Sequence, residues 1–515
     1  MIQELKELIH IVTKQKVSQI EILTESSQLD TKSRRLLEGL RNETITSDEE
    51  AMQLLYPEGK RQTYQKLKNR LYNRLLNTLF FIDVKKYNKG EAGKIKDSLY
   101  KEYSQIMLIR GQGHRELAIN MATKLLEKSM RYEAFDISLL LSNILEEFYS
   151  VWQPNKRLLS YYANVYDETA KKIRELRSIT FIWTGLVESL MARRTNVLNE
   201  ESSSYYIEEL TKLNRIEGSS FLFNYRLYSS WIVFYWLKQD YHKQLEICKR
   251  ALKSIRTSNQ KDSIHGLSFI NYKGIAELNL RDYKSAENTL NSILYEYPLT
   301  PGKVHWLNIQ NYLFLVKILR RKYYDAFEIL YKVVNLRNFK KTDKKWREPW
   351  LIKEAYINLL IKIGKIDLEK LQGKKIRKFR LSKFVNDVPL FFKDKRGQNV
   401  SILIAQFIFL LIENKTNAMH DRLDGLKQYS YRYLRNDSTF RSNCFIKMLL
   451  KIPGAGFHPV RVENHTKDLK KKLLSTPMMI SEQSYEVEII PYEDLWEIVM
   501  EILHKRNKSK VRISL

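Results

Sequence analysis

An all-α fold is predicted by three features of this 515-residue sequence. Its 17 glycines and 10 prolines are about 5% of the chain, against about 12% in average proteins, so chain breakers are scarce. Hydrophobic residues reach 43% and fall at helical spacing over long stretches. Near the middle, a pattern of helix, tight turn and helix returns at a nearly fixed interval. Together these argue against an all-β chain and against a Rossmann-type enzyme.

Charge and cysteine content narrow the class further. Eighty-eight Lys and Arg stand against 59 Asp and Glu, a formal charge of +29. Two cysteines, Cys248 and Cys444, cannot build a disulfide scaffold, and no CxxC pair is present. Charges interrupt residues 1–20 throughout, unlike a signal peptide. The longest apolar run, Val400–Ile412, has 13 residues, short of the ~20 that span a bilayer, and is expected to be a buried helix. The expected setting is cytoplasmic, with no membrane partner.

Residues 1–95 are expected to form an N-terminal helical module. Ser47 and Glu50 have the spacing of a capping box. In the next helix, Tyr64, Leu67, Leu71, Leu75, Leu79 and Ile82 share one stripe, flanked by Lys66, Lys68, Arg70 and Arg74. This segment is similar to the winged-helix part of TPR-containing bacterial regulators, in which such a helix lies in the major groove. No wing hairpin follows it in the sequence, and a solvated basic face is the plainer alternative.

Residues 96–220 are expected to be irregular helical hairpins. Leu117, Met121, Leu125 and Leu126 mark one apolar face, with Ala118 and Ala122 as close-contact positions. Asn196–Ser204 is expected to be an exposed loop.

Residues 221–372 carry the repeat. Tyr241, Tyr283 and Tyr323 stand 42 and 40 residues apart, each after a polar turn between two helical segments. In the second copy Gly274, Ala286 and Pro298 are spaced by 12 residues. Small residues let paired helices approach closely, and proline stops the second helix. This copy resembles the tetratricopeptide (TPR) repeat, with Tyr283 at its turn aromatic. The neighbouring copies depart from that pattern. The first keeps Ala251 but has Ile232 and Gln244 at small positions, and the third keeps Ala326 but has Phe314. A fourth pair is expected around Gly364. The resemblance implies a right-handed solenoid of helical hairpins with a partner-binding groove, not a substrate.

Residues 373–515 are expected to form a mostly helical C-terminal cap. Pro453–Phe457 is expected to turn, and Tyr485–Ile490 to be either a short strand or the lead into a last helix.

No catalytic, cofactor or metal site emerges from the chemistry-bearing residues. His458 and His465 lack further ligands, and no nucleophile motif such as GxSxG occurs. A non-enzymatic scaffold is therefore expected, holding another protein or a peptide in a concave groove. Arg226, Lys238, Lys273, Lys317 and Arg320 are the candidate groove cations, because charge-assisted bonds to carboxylate are strong. The alternative is a nucleic-acid-associated protein, a TPR-type regulator or an RNA- or ribosome-associated factor. It would use Lys66, Lys68, Arg70 and Arg74 with two basic strips: Lys340, Lys341, Lys344 and Lys345, then Lys374, Lys375, Arg377 and Lys378.

Overall fold

The computed structural model describes residues 2–14, 31–83, 91–192, 200–256, 265–297, 299–367, 369, 380, 398–434, 440–476, 478 and 488–513. Among these residues there are 21 α-helices and no strand. The chain divides into two compact units, residues 1–173 and 174–515.

The first unit holds α1 (Ile2–Lys14), α2 (Thr31–Arg41), α3 (Asp48–Leu55) and α4 (Arg61–Leu79), followed by α5 (Glu91–Gly111), α6 (Arg115–Arg131) and α7 (Phe135–Glu147). The dividing point falls inside α8 (Lys156–Ala192). Helices α1–α4 close their own core around Leu5, Leu36, Leu71 and Leu75. The capping box opens α3: Ser47 Oγ accepts from the Glu50 amide, and Glu50 Oε2 accepts from the Ser47 amide. On α4 the stripe is buried at Tyr64, Leu67, Leu71 and Leu75, and Ile82 is buried beyond the helix end. Helix α6 packs on both α5 and α7. Its buried face runs through Ala118, Ala122, Leu125, Leu126 and Ser129. Leu117, expected on that face, is exposed, because the stripe is centred one position later, on the two alanines that allow close approach.

The second unit continues through α9 (Glu200–Asn214), α10 (Phe221–Leu237), α11 (Tyr241–Arg256), α12 (His265–Asn279), α13 (Tyr283–Glu296), α14 (Val304–Leu319), α15 (Tyr323–Val334) and α16 (Lys344–Lys362). It ends in α17 (Gln398–Ile412), α18 (Thr416–Tyr433), α19 (Phe440–Gly454), α20 (Pro459–Leu474) and α21 (Tyr492–Ile513). From α9 to α21 each helix packs on the next, and α10 also meets α12, as α12 meets α14.

A further finding differs from expectation. Glu200–Ser204 form the first turn of α9 rather than a loop, with Glu200 and Glu201 at the end of the helix dipole that favours negative charge. Of the two alternatives for Tyr485–Ile490, Glu488–Ile490 follow the second and lead into α21, and Tyr485–Val487 lie outside the described residues. The apolar run expected to be a buried helix is α17, buried from Val400 to Leu411.

One turn geometry reverses the chain again and again. After α12, the Arg281 amide donates to the Leu278 carbonyl (3.0 Å) and the Asp282 amide to the Glu277 carbonyl (2.9 Å). Arg281 has φ +61°, in the left-handed region. This paired bonding satisfies carbonyls that the helix end would otherwise leave open. The same pair of bonds closes α10 through Gln239 and Asp240, and α14 through Arg321 and Lys322. It also closes α16 through Gly364 and Lys365, where glycine adopts φ +81° without a Cβ penalty. Asp240 and Asp282 then cap the following helix, each accepting an amide three residues on at 3.1 Å.

Close approach is visible at Gly274. A Cβ there would sit 2.9 Å from Leu290 Cδ2 on α13. Ala286 and Ala326 are fully buried at equivalent positions of α13 and α15, and Ala251 is fully buried on α11. Pro298, the third member of the second copy's pattern, lies outside the described residues. Gln244 takes the place of Ala286 and Ala326 on α11; it is fully buried, with no hydrogen-bond partner for either amide atom.

Opposite stability effects are expected at these equivalent positions. Ala286→Leu should overpack its site and lower stability by about 1–3 kcal/mol. Gln244→Met keeps the volume while removing an unpartnered buried amide, and should raise stability by about 1–3 kcal/mol. Urea melts of both variants against the parent check this; equal midpoints would place neither residue at a tight contact.

Candidate functional site

The five candidate groove cations lie on α10, on α12, on α14 and at helix ends, and each is engaged by a neighbour. Lys317 Nζ lies 2.6 Å from Glu287 and 2.9 Å from Asp325, and Arg320 pairs with the other oxygen of Glu287. Burial would push the Glu287 carboxyl up, but the Lys317 and Arg320 charges outweigh it and hold it below its usual range. Burial would likewise lower Lys317, yet its two carboxylate partners raise it. Lys273 pairs with Glu277 at 3.2 Å and donates to Thr289. Arg226 stacks on the Trp183 ring at 4.0 Å, and Lys238 donates to Ser203. These cations join adjacent helices to each other, and they do not converge on one anion-sized opening.

One of the five, Lys317, does line an opening. A cleft of about 630 Å3 is bounded by α13, α14 and α15. Leu294, Leu313 and Ile329 supply its apolar wall, and Asn291, Gln310, Lys317, Asp325, Glu328 and Lys332 its polar edge. Little in the residue pattern announces it. Asn291 and Gln310 look like ordinary helix positions, and only the packing of three successive helices places them on one opening.

In the N-terminal module the four basic positions of α4 have different fates. Lys66 and Arg70 are exposed and Arg74 is half-buried. Lys68 is a correction to the surface expectation. Its side chain is 5% exposed, and Nζ sits 2.7 Å from Asp48 Oδ1, which also accepts from the Tyr64 hydroxyl at 2.6 Å. The reason is its place on the inward edge of α4, beside Leu67 and Leu71. No wing hairpin occurs among the described residues of this module.

Of the two basic strips, the first is described: Lys340, Lys341, Lys344 and Lys345 are all exposed. Lys374, Lys375, Arg377 and Lys378 lie outside the described residues.

The two thiols are withdrawn from solvent. Cys248 and Cys444 are free and buried. Burial, with Glu277 adding to it, pushes the Cys248 thiol well up, away from the thiolate that would act as a nucleophile. Among the described residues no group of His, Cys, Asp and Glu converges as metal ligands. No described helix is long and apolar enough to cross a membrane.

Compared with models of known protein families, with curated proteins and with solved structures, the chain matches none.

The Asp48 site yields a pH prediction. Burial would raise the Asp48 carboxyl, but bonds from Lys68 and Tyr64 hold it below its usual range. Its contribution to stability is therefore present above about pH 4 and is lost as pH falls through the lowered folded value. With the Asp48 side chain 41% exposed, that contribution is about 1 kcal/mol or less. Lys68→Met should lose less stability than the parent between about pH 6 and pH 3 in urea melts. Identical pH dependence in the two proteins would contradict the pairing.

Proposed function

We propose that this chain is a non-enzymatic, TPR-like scaffold, a right-handed solenoid of helical hairpins that holds a partner protein or peptide in a groove between successive hairpins. The cleft between α13 and α15 carries this proposal, because an apolar wall edged by amide and charged groups suits a peptide. The regular return of the chain-reversing turn at 239, 281, 321 and 364 supports the repeat character. The two buried thiols suit a reducing cytoplasmic setting.

The paired cations refine the earlier expectation of a carboxylate clamp. Lys273, Lys317 and Arg320 already have acidic partners on the protein. An incoming carboxylate would have to displace those partners. The partner segment is therefore proposed to bind through apolar contact and amide hydrogen bonds rather than through its charge.

A displayed peptide library selected on the full chain tests this. Asn291 is exposed at the cleft edge, so Asn291→Trp should fill the opening without disturbing the core. Selected peptides should bind the variant at least about tenfold more weakly, a loss of about 1.4 kcal/mol, with an unchanged circular dichroism melt. Peptides indifferent to Asn291→Trp, or no selected peptide at all, would contradict the proposal.

A further inference from the structure

We infer that the surface where α15 ends and α16 begins is a binding site for the phosphate backbone of nucleic acid, built from six cations that do not line the cleft. Six exposed cations meet there: Lys303 at the start of α14, Arg337 after α15, and Lys340, Lys341, Lys344 and Lys345 around the start of α16. Among the described residues none of the six side chains has an ion-pair or hydrogen-bond partner. Some exposed cations elsewhere are engaged, as Lys362 is by Glu413, Lys365 by Glu501 and Arg321 by Asp494; here six unengaged ones lie at one end of neighbouring helices.

The fold holds these charges together against their own repulsion. Phe339 is buried in the core and anchors a short 3-10 turn through Lys341. Arg347 Nη1 donates to the Lys340 carbonyl at 2.8 Å, tying the two ends of the strip to each other. Leu336 packs against Gly302, which brings Lys303 to the same end of the helices. Lys332 sits over the Trp306 ring at 5.6 Å on the same edge and adds to the field.

Local acids do little to offset this charge. The Asp343 carboxylate caps α16, accepting from the Lys345 amide at 2.8 Å. Glu348 is buried, and burial pushes its carboxyl up, despite the pull of Arg347 and Lys344 in the other direction. The amino ends of α14 and α16 face this surface with their positive dipole ends.

The geometry favours phosphate over carboxylate. Five of the six groups are lysines, compact charges on flexible stems, which suit a row of phosphates better than a planar carboxylate needing a bidentate fork. The charges are spread along more than one element, matching a repeating polyanion rather than a single terminal group. Nothing in this set reads base edges, so binding should be independent of sequence.

Fluorescence anisotropy on the full chain tests the site with three probes of about 20 units: oligo-dT, a DNA duplex and polyglutamate. One variant carries Lys340→Ser, Lys341→Ser, Lys344→Ser and Lys345→Ser. A second removes equal charge elsewhere, at the exposed Lys451, Lys467, Lys471 and Lys472. Melting curves of both variants confirm that they remain folded. The parent should bind both nucleic acids, with a slope of log affinity on log salt of about −3 to −4 for oligo-dT, four to six phosphates' worth. The first variant should bind at least about tenfold more weakly with a slope flattened by about 2–3, and the second less than about threefold more weakly. Equal losses in the two variants would reduce the effect to diffuse net charge and overturn the site. So would the absence of binding to either nucleic acid, or tighter binding of polyglutamate than of oligo-dT.

Discussion

Two helices can lie along each other in consecutive order only if the chain reverses within a few residues and leaves no helix-end carbonyl unsatisfied. Here that requirement is met by one residue with positive φ and two amide bonds back into the preceding turn. The device closes α10, α12, α14 and α16, and it joins α6 to α7 through Glu133 and α17 to α18 through Asn414. At most of these sites the residue is not glycine. Each accepts a left-handed backbone whose strain is held by the packed helices on either side. If the turns failed, adjacent apolar faces would not meet in register, and neither the cleft nor the basic surface would be assembled.

The second constraint is distance between paired helices. Small residues at Gly274, Ala286, Ala326, Ala118 and Ala122 set it, and large side chains fill the space between pairs. Toward the carboxyl end the joining forces change. Arg441 is buried and binds both oxygens of Glu488 at 2.7 and 2.8 Å, and it also donates to the Leu473 and Thr476 carbonyls. That node joins α19 to the end of α20 and to the segment before α21. Breaking such a pair on one side only would leave a buried charge uncompensated, which is strongly destabilising. The carboxyl-terminal helices thus add one buried polar centre to a large apolar core that includes the apolar residues of α17 from Val400 to Leu411.

The all-α class was legible in the sequence because it rests on local signals. The capping box at Ser47, the buried run in α17 and the turns before Tyr241, Tyr283 and Tyr323 all follow from residues a few positions apart. Leu117 lies on the outer edge of α6, although a stripe of large apolar residues includes it, because Ala118 and Ala122 make the actual contact. What stayed hidden depends on separation along the chain. Lys68 finds Asp48 across 20 residues, Lys317 finds Glu287 across 30, and Arg441 finds Glu488 across 47. A helical pattern tells which side of a helix is apolar, but it does not tell which acid will face a given lysine. The candidate groove cations therefore looked available in the sequence and are engaged in the folded chain, while Lys340, Lys341, Lys344 and Lys345 are exposed as their run of charge suggested.

The proposed scaffold and the inferred phosphate surface both rest on the turns, so the turn is the place to test the account. Arg281 is exposed, has φ +61° and sits between α12 and α13, so a change there reports on the backbone. The most direct measurement is the urea-melt stability of Arg281→Gly and Arg281→Val against the parent. Glycine should leave stability within about 0.5 kcal/mol or raise it, and β-branched valine should lower it by about 1–2 kcal/mol or more. Equal stability of the glycine and valine variants would show that no left-handed turn joins these helices.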